Sequence, residues 1–80
     1  MSHQSRLLWR CRRGIKEMDL LLERYLAEFY PSLSKREQSV FESLLNETDL
    51  DIYDWILGRS SPDNDDYHVI IRQLQSLNSA

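Results

Sequence analysis

The sequence has few of the residues on which disulfide-bonded, β-rich or metal-binding small proteins depend. Its 80 residues include one cysteine, two glycines and two prolines. A lone cysteine, Cys11, excludes an internal disulfide and fits a reducing compartment. Cys11, His3 and His68 also lack the spacing of metal ligands, so we predict no metal site. So little glycine and proline disfavours an all-β or linker-rich chain.

Long apolar runs are missing as well. No stretch approaches the roughly 18 residues of a membrane-spanning helix. Arginines interrupt the only candidate for the apolar region of a signal peptide. We therefore expect a cytoplasmic protein of bacterial type. Its length predicts a single domain over 1–80, with a core about 6–77. So short a chain has little room to enclose an active-site cavity, and we do not expect an enzyme.

Acidic residues are absent from the start of the chain. The first 16 residues contain five basic residues and no acidic one, whereas the other 64 contain five basic and 13 acidic residues. The net charge of -3 is therefore the sum of +5 and -8. Such separation indicates a docking surface near the start of the chain rather than an evenly solvated surface.

Hydrophobic periodicity predicts an all-α fold, a small five-helix bundle. The first helix is predicted over 4–13 and ends before a glycine, and the second over 16–30 ends at a proline. Ser34 and Glu37 form the Ser-x-x-Glu pattern of a capping box, which predicts the start of the third helix.

Capping residues also predict the last two helices. Thr48 or Asp49 caps the fourth, which ends at Gly58. Ser61 is predicted to cap the fifth, with Pro62 at its first position. Apolar residues at helical spacing predict the core: Leu21, Leu22, Tyr25, Phe41, Leu44, Leu45, Ile56, Ile70 and Leu74.

The most informative segment is W-R-C-R-R-G-I-K-E-M-D, residues 9–19. Gly14 lacks a Cβ, so the backbone there can turn with positive φ and approach a partner closely, although glycine is also a common helix end. Arg13 presents a planar fork for carboxylates, phosphates or carbonyls, or for an internal ion pair with Glu17. Glu17 itself suits either a helix start or a partner contact. The residues alone leave these alternatives open.

Trp9 is predicted to lie on a face of the first helix that it shares with arginines. Exposed tryptophan beside arginine is the composition of interface hot spots, although tryptophan also commonly packs beneath a neighbouring helix. The arginines of the Trp9 face are Arg6, Arg10 and Arg13.

Asp49 and Asp51 are expected to be helix caps, with a contact to a partner as the alternative.

Taken together, these segments resemble the succinate dehydrogenase assembly factor family, SdhE, also called flavinator proteins. The resemblance covers roughly 6–75 and rests on W-x-C-R-R-G-x-x-E-x-D, then YPSLS, KREQSVFESLL and DLDIYDWILG, the last of which contains D-x-D-x-Y-x-W. Family members often carry proline where this chain has Leu50. The resemblance implies a partner-binding surface formed by Trp9, Arg10, Arg13, Gly14, Glu17 and Asp19, with Arg6, Asp49 and Asp51 as a further contact.

The resemblance implies a partner and a role. The partner is the flavoprotein subunit of succinate dehydrogenase, with that of fumarate reductase as an extension. The role is to promote covalent attachment of FAD to a histidine of that subunit. No Gly-rich dinucleotide fingerprint occurs, so we expect no stable FAD binding by this chain alone. We expect a monomer that neither binds nucleic acid nor inserts into a membrane.

An alternative is a small module that binds nucleic acid or another protein through the basic first helix. Five basic residues could contact phosphates. The acidic remainder and the sequence pI of about 5.2 argue against nucleic acid. A third possibility, an enzyme, has no support from a nucleophile-base pair or a metal set.

Overall fold

A computed structural model describes residues 3–79, and the side chains of residues 5–78. Within residues 3–79 the chain forms five α-helices, one short 3-10 turn and no strand, which confirms the all-α prediction. The elements are α1 (His3–Cys11), α2 (Lys16–Glu28), a 3-10 turn (Tyr30–Ser32), α3 (Lys35–Leu44), α4 (Asp49–Leu57) and α5 (Asp66–Ser79).

Helices α2 and α5 form the centre of the bundle. α2 packs against α1 and α5, and α5 also contacts α3 and α4. Tyr25 of α2 stacks on Phe29 and on Phe41 of α3, with ring centroids 5.0 Å apart in each pair. Its hydroxyl donates a 2.7 Å hydrogen bond to Gln73 of α5. One aromatic side chain thus joins three helices.

The predicted core is confirmed, because all nine residues named from the sequence are buried. Cys11 and Trp55 are buried as well. Apart from the tyrosines, no charged or polar side chain in the described part of the chain is buried, so the interior gains its free energy mainly from apolar contact.

The ends of the first two helices were predicted two residues too far along the chain. α1 ends at Cys11: the Arg12 N–H still bonds the Trp9 carbonyl, but those of Arg13 and Gly14 bond a carboxylate of α2 instead of α1 carbonyls. α2 ends at Glu28, and the chain then tightens into the 3-10 turn that contains Pro31. Proline disfavours α conformation in the residue before it, so the prediction erred only in how far the helix continues.

The predicted start of the fifth helix is wrong. Ser61 does not cap it and Pro62 is not its first residue, because α5 begins at Asp66. The side-chain oxygen of Asn64 accepts a 2.9 Å hydrogen bond from the N–H of Asp66, the first residue of the helix. Pro62 is buried instead, and its carbonyl lies 2.8 Å from a ring nitrogen of His68. Several residues of this segment can cap a helix, and sequence alone does not rank them.

Ser34→Ala is expected to lower the free energy of unfolding by about 1 kcal/mol. The predicted capping box is present: the Glu37 N–H donates to the Ser34 hydroxyl at 3.2 Å, and the Ser34 N–H donates to the Glu37 carboxylate at 2.9 Å. Urea unfolding followed by circular dichroism measures the effect. Ser76→Ala, at an exposed site within α5, is the control, and equal losses in both variants would contradict the capping role.

The capping box also predicts a dependence on pH. Hydrogen bonds from the backbone and side chain of Ser34 lower the pKa of Glu37. A lowered folded pKa adds stability above the pKa of the unfolded chain, and that stability is lost as pH falls through the folded value. Glu37→Gln should therefore flatten the loss of stability in acid. An unchanged acid limb in this variant would contradict the assignment.

Cys11 is expected to be unreactive in the folded protein. Its side chain is fully buried, and burial raises the pKa of the thiol to about 12, so almost no thiolate is present near pH 8. A chromogenic disulfide reagent at pH 8 should titrate no thiol in the native protein and one equivalent in urea. Rapid reaction of the native protein would show that α1 opens readily.

Candidate protein-docking site

The chain between α1 and α2, residues 12–15, forms a turn that we call the Gly14 turn. Gly14 is exposed and has φ +96°, a conformation that residues with a side chain rarely adopt. A Cβ added there would meet no atom within 4 Å. The backbone conformation therefore requires glycine, whereas crowding within the free protein does not. The outer side of the turn is open, so a partner could approach it.

Asp19 fixes the Gly14 turn through two hydrogen bonds to its backbone. This half-buried residue of α2 accepts hydrogen bonds from the N–H groups of Arg13, at 2.9 Å, and of Gly14, at 3.0 Å. A carboxylate near the start of a helix is also favoured by the helix dipole. Asp19, predicted as a partner-binding residue, is placed where it fixes the shape of the turn.

Arg13 joins the Gly14 turn to the connection between α3 and α4. Its guanidinium donates to the carbonyl of Leu45 at 2.7 Å and to that of Glu47 at 2.6 Å, and it forms an ion pair with Asp49. Its side chain is only 16% exposed. Arg13 thus forms an internal ion pair, but its partner is Asp49 and not Glu17, the residue considered from the sequence.

Arg10 also contacts the end of α3. Its guanidinium donates to the carbonyl of Glu42 at 2.7 Å and to the side-chain oxygen of Asn46 at 2.8 Å. Arg10 and Arg13 are therefore directed toward the α3–α4 connection, away from the exposed face on which the helical wheel placed them. That either residue touches a partner stays a prediction, and in the free protein both have structural contacts.

Trp9 is 63% exposed, as the charged helix face suggested. The arginine beside it is Arg12, whose guanidinium carbon lies 5.5 Å from the ring centroid. Arg12 also pairs with Glu23 of α2 at 2.9 Å. The sequence interpretation missed Arg12, although its position three residues after Trp9 is a spacing at which helical side chains meet. Arg6, one turn earlier, is exposed.

Residues at the start of α4 complete the surroundings of the turn. Thr48 is the N-cap, accepting a 3.2 Å hydrogen bond from the Asp51 N–H. The expectation that Asp49 and Asp51 cap this helix was wrong, because both lie inside its first turn. Glu17, exposed on α2, accepts a 3.3 Å hydrogen bond from the hydroxyl of Tyr53.

The predicted site residues therefore fall into two groups. A supporting group gives the turn its shape through internal bonds: Arg10, Arg13, Asp19 and Asp49. The other five residues are exposed: Arg6, Trp9, Gly14, Glu17 and Asp51. We call Trp9, Arg12, Gly14 and Glu17 the docking surface.

Three other kinds of site have little support in the described residues: a metal site, a nucleic-acid interface and a membrane-spanning helix. Among the described side chains, no group of three or more His, Cys, Asp and Glu residues is placed to hold a metal ion. Three of the five N-terminal cations, Arg10, Arg12 and Arg13, already have partners within the chain, which weakens the nucleic-acid alternative. None of the helices in residues 3–79 combines the length and apolarity needed to cross a bilayer.

The fold and the site define a small all-helical protein whose candidate site is a preformed surface turn rather than a cavity. Residues 5–78 match the family described as flavinator of succinate dehydrogenase. The chain therefore belongs to this family.

Curated relatives agree with the family match. The chain is 43% identical over 74 residues to the FAD assembly factor SdhE of Coxiella burnetii, covering 92% of this chain and 90% of the relative. It is 39% identical over 62 residues to the protein of that name from Legionella pneumophila, covering 78% of each. Identity to that of Yersinia pseudotuberculosis is 30% over 80 residues, covering 100% of this chain and 91% of the relative.

Proposed function

We propose that this protein binds the flavoprotein subunit of succinate dehydrogenase and promotes covalent attachment of FAD to a histidine of that subunit. The observation that carries the proposal is the exposed, internally braced Gly14 turn in a chain that belongs to the flavinator family. The relatives named above are called FAD assembly factors, which supports the same role.

The protein acts by positioning its target. The one cysteine is buried, and burial raises the pKa of its thiol to about 12, so it does not serve as a nucleophile. The flavin and the target subunit supply the reactive groups, and the assembly factor holds the subunit so that its histidine and the flavin meet. Because Asp19 and Arg13 fix the turn before binding, little conformational entropy is lost on docking.

FAD need not be held by this chain itself. Backbone N–H groups in a turn can bind a phosphate, but those of Arg13 and Gly14 are already occupied by the Asp19 carboxylate. We therefore propose that the protein acts on FAD already bound to its partner. It does so as a monomer in the bacterial cytoplasm, and the flavoprotein subunit of fumarate reductase is an additional target.

Deletion of the gene from its own cells tests this function. Extracts are separated on a denaturing gel, where only covalently attached flavin remains to fluoresce in the flavoprotein band. The deletion should lose most of this fluorescence, and a plasmid copy should restore it. Equal fluorescence per amount of subunit with and without the gene would overturn the proposed function.

A further inference from the structure

A shallow groove runs beside the Gly14 turn, between the end of α1 and the first turns of α2. Its lining residues are Arg12, Gly14, Lys16, Asp19, Leu20 and Glu23. We infer that this groove is a second contact for the flavoprotein subunit. It would bind an apolar side chain of that subunit, and Lys16 would pair with a carboxylate that lies beside that side chain on the same subunit. This inference rests on the proposed function and adds Lys16 and Leu20 to the residues that recognise the partner.

Leu20 gives the groove its apolar character. Its α2 neighbours Met18, Leu21 and Leu22 are buried, whereas Leu20 is 52% exposed. A single exposed leucine is common on protein surfaces. This one shares a groove with Gly14, so a partner that approaches the turn closely also covers Leu20.

The formal charges of the groove sum to zero, but Lys16 is the one charged side chain of its lining that is not engaged within the described part of the chain. Of its two acidic residues, Asp19 accepts from the N–H groups of the turn and Glu23 pairs with Arg12. The ammonium group of Lys16, which is exposed, makes no hydrogen bond or ion pair with any described side chain. Its ammonium group is therefore available to a carboxylate on the partner, and its methylenes can lie along apolar surface.

Interface size also favours a contact beyond the turn itself. A standard specific interface buries about 800 Å² on each partner and uses roughly 20–30 residues a side. The Gly14 turn alone is far smaller. The groove adjoins it directly, and Arg12 continues the surface to Trp9 through its contact with the indole ring. Continuity with the docking surface thus identifies the occupant as the same flavoprotein subunit.

Two matched pairs of variants test the inference. Leu20→Asp is compared with Val69→Asp, because Val69 on α5 has the same 52% exposure. Lys16→Glu is compared with Lys35→Glu, because each lysine is exposed at the first position of a helix. Binding of each variant to the purified flavoprotein subunit is measured by calorimetry, with circular dichroism to verify folding.

Leu20→Asp and Lys16→Glu should each weaken binding about tenfold or more, which is about 1.4 kcal/mol. The two controls should stay within about twofold of the unaltered protein. If Leu20→Asp binds as well as Val69→Asp while the unaltered protein still accelerates flavin attachment, the groove inference is wrong and the proposed function stands.

Two other outcomes also overturn the inference. If the unaltered protein neither binds the subunit nor accelerates flavin attachment, the proposed function fails and the inference fails with it. If Leu20→Asp only abolishes a dimer of this chain, seen by light scattering, while subunit binding is unchanged, the groove serves self-association.

Discussion

Gly14→Arg should leave the helix content unchanged and weaken binding to the flavoprotein subunit by about 30-fold or more, a loss of at least about 2 kcal/mol. In the free protein an added Cβ meets no atom within 4 Å, so there is no internal clash. The strain of a side chain at φ +96° costs about 1–3 kcal/mol, less than the stability of a typical domain. In the complex, bulk and charge would enter a close backbone contact.

Gly58→Arg is the matched control. Gly58 also has positive φ, +77°, and open surroundings. It lies at the C-terminal end of α4, however, and the residue of α4 that pairs with Arg13 is Asp49, at the start of the helix. Both variants should lose similar stability in urea, and only Gly14→Arg should lose binding. Unfolding of Gly14→Arg, or equal binding losses in both variants, would show that glycine is needed there for structure alone.

Arg13→Ala is expected to lower the free energy of unfolding by about 2–4 kcal/mol. The truncation leaves the carbonyls of Leu45 and Glu47 and the carboxylate of Asp49 without their guanidinium partner in a half-buried site. We expect the variant also to lose function, because the turn is no longer braced against the α3–α4 connection.

Arg12→Ala provides the comparison for Arg13→Ala. The Arg12 side chain is 54% exposed, and its ion pair with Glu23 lies at the surface, where such pairs contribute about 1 kcal/mol or less. Urea unfolding should therefore separate the two neighbouring arginines clearly. Equal stability of the two alanine variants would contradict the bracing role of Arg13.

The helices and the core could be predicted because their signals are local. Apolar residues at a spacing of 3.6 identify a buried face wherever the chain places it, and the capping box of Ser34 and Glu37 needs only three residues of context. The burial of Tyr25 and Leu44 follows from the same periodicity. These predictions did not depend on knowing how the helices pack.

The division of the site into supporting and exposed residues could not be predicted in this way. Arg10 and Arg13 bond groups 32 to 36 residues further along the chain, and a helical wheel contains no information about such partners. A helical wheel also places Leu20 outside the core. It contains no information that Leu20 lies in a groove beside Gly14. Both facts depend on how α1 meets α2 and the α3–α4 connection.

The most direct test of the proposed function uses purified components. The flavoprotein subunit without flavin is mixed with limiting FAD, with and without this protein, and covalent flavin is read at early times by fluorescence on a denaturing gel. We expect faster attachment with the protein present, no acceleration with Gly14→Arg, and an unchanged mass of the protein afterwards. Equal covalent flavin at early times with and without the protein would contradict its role as an assembly factor.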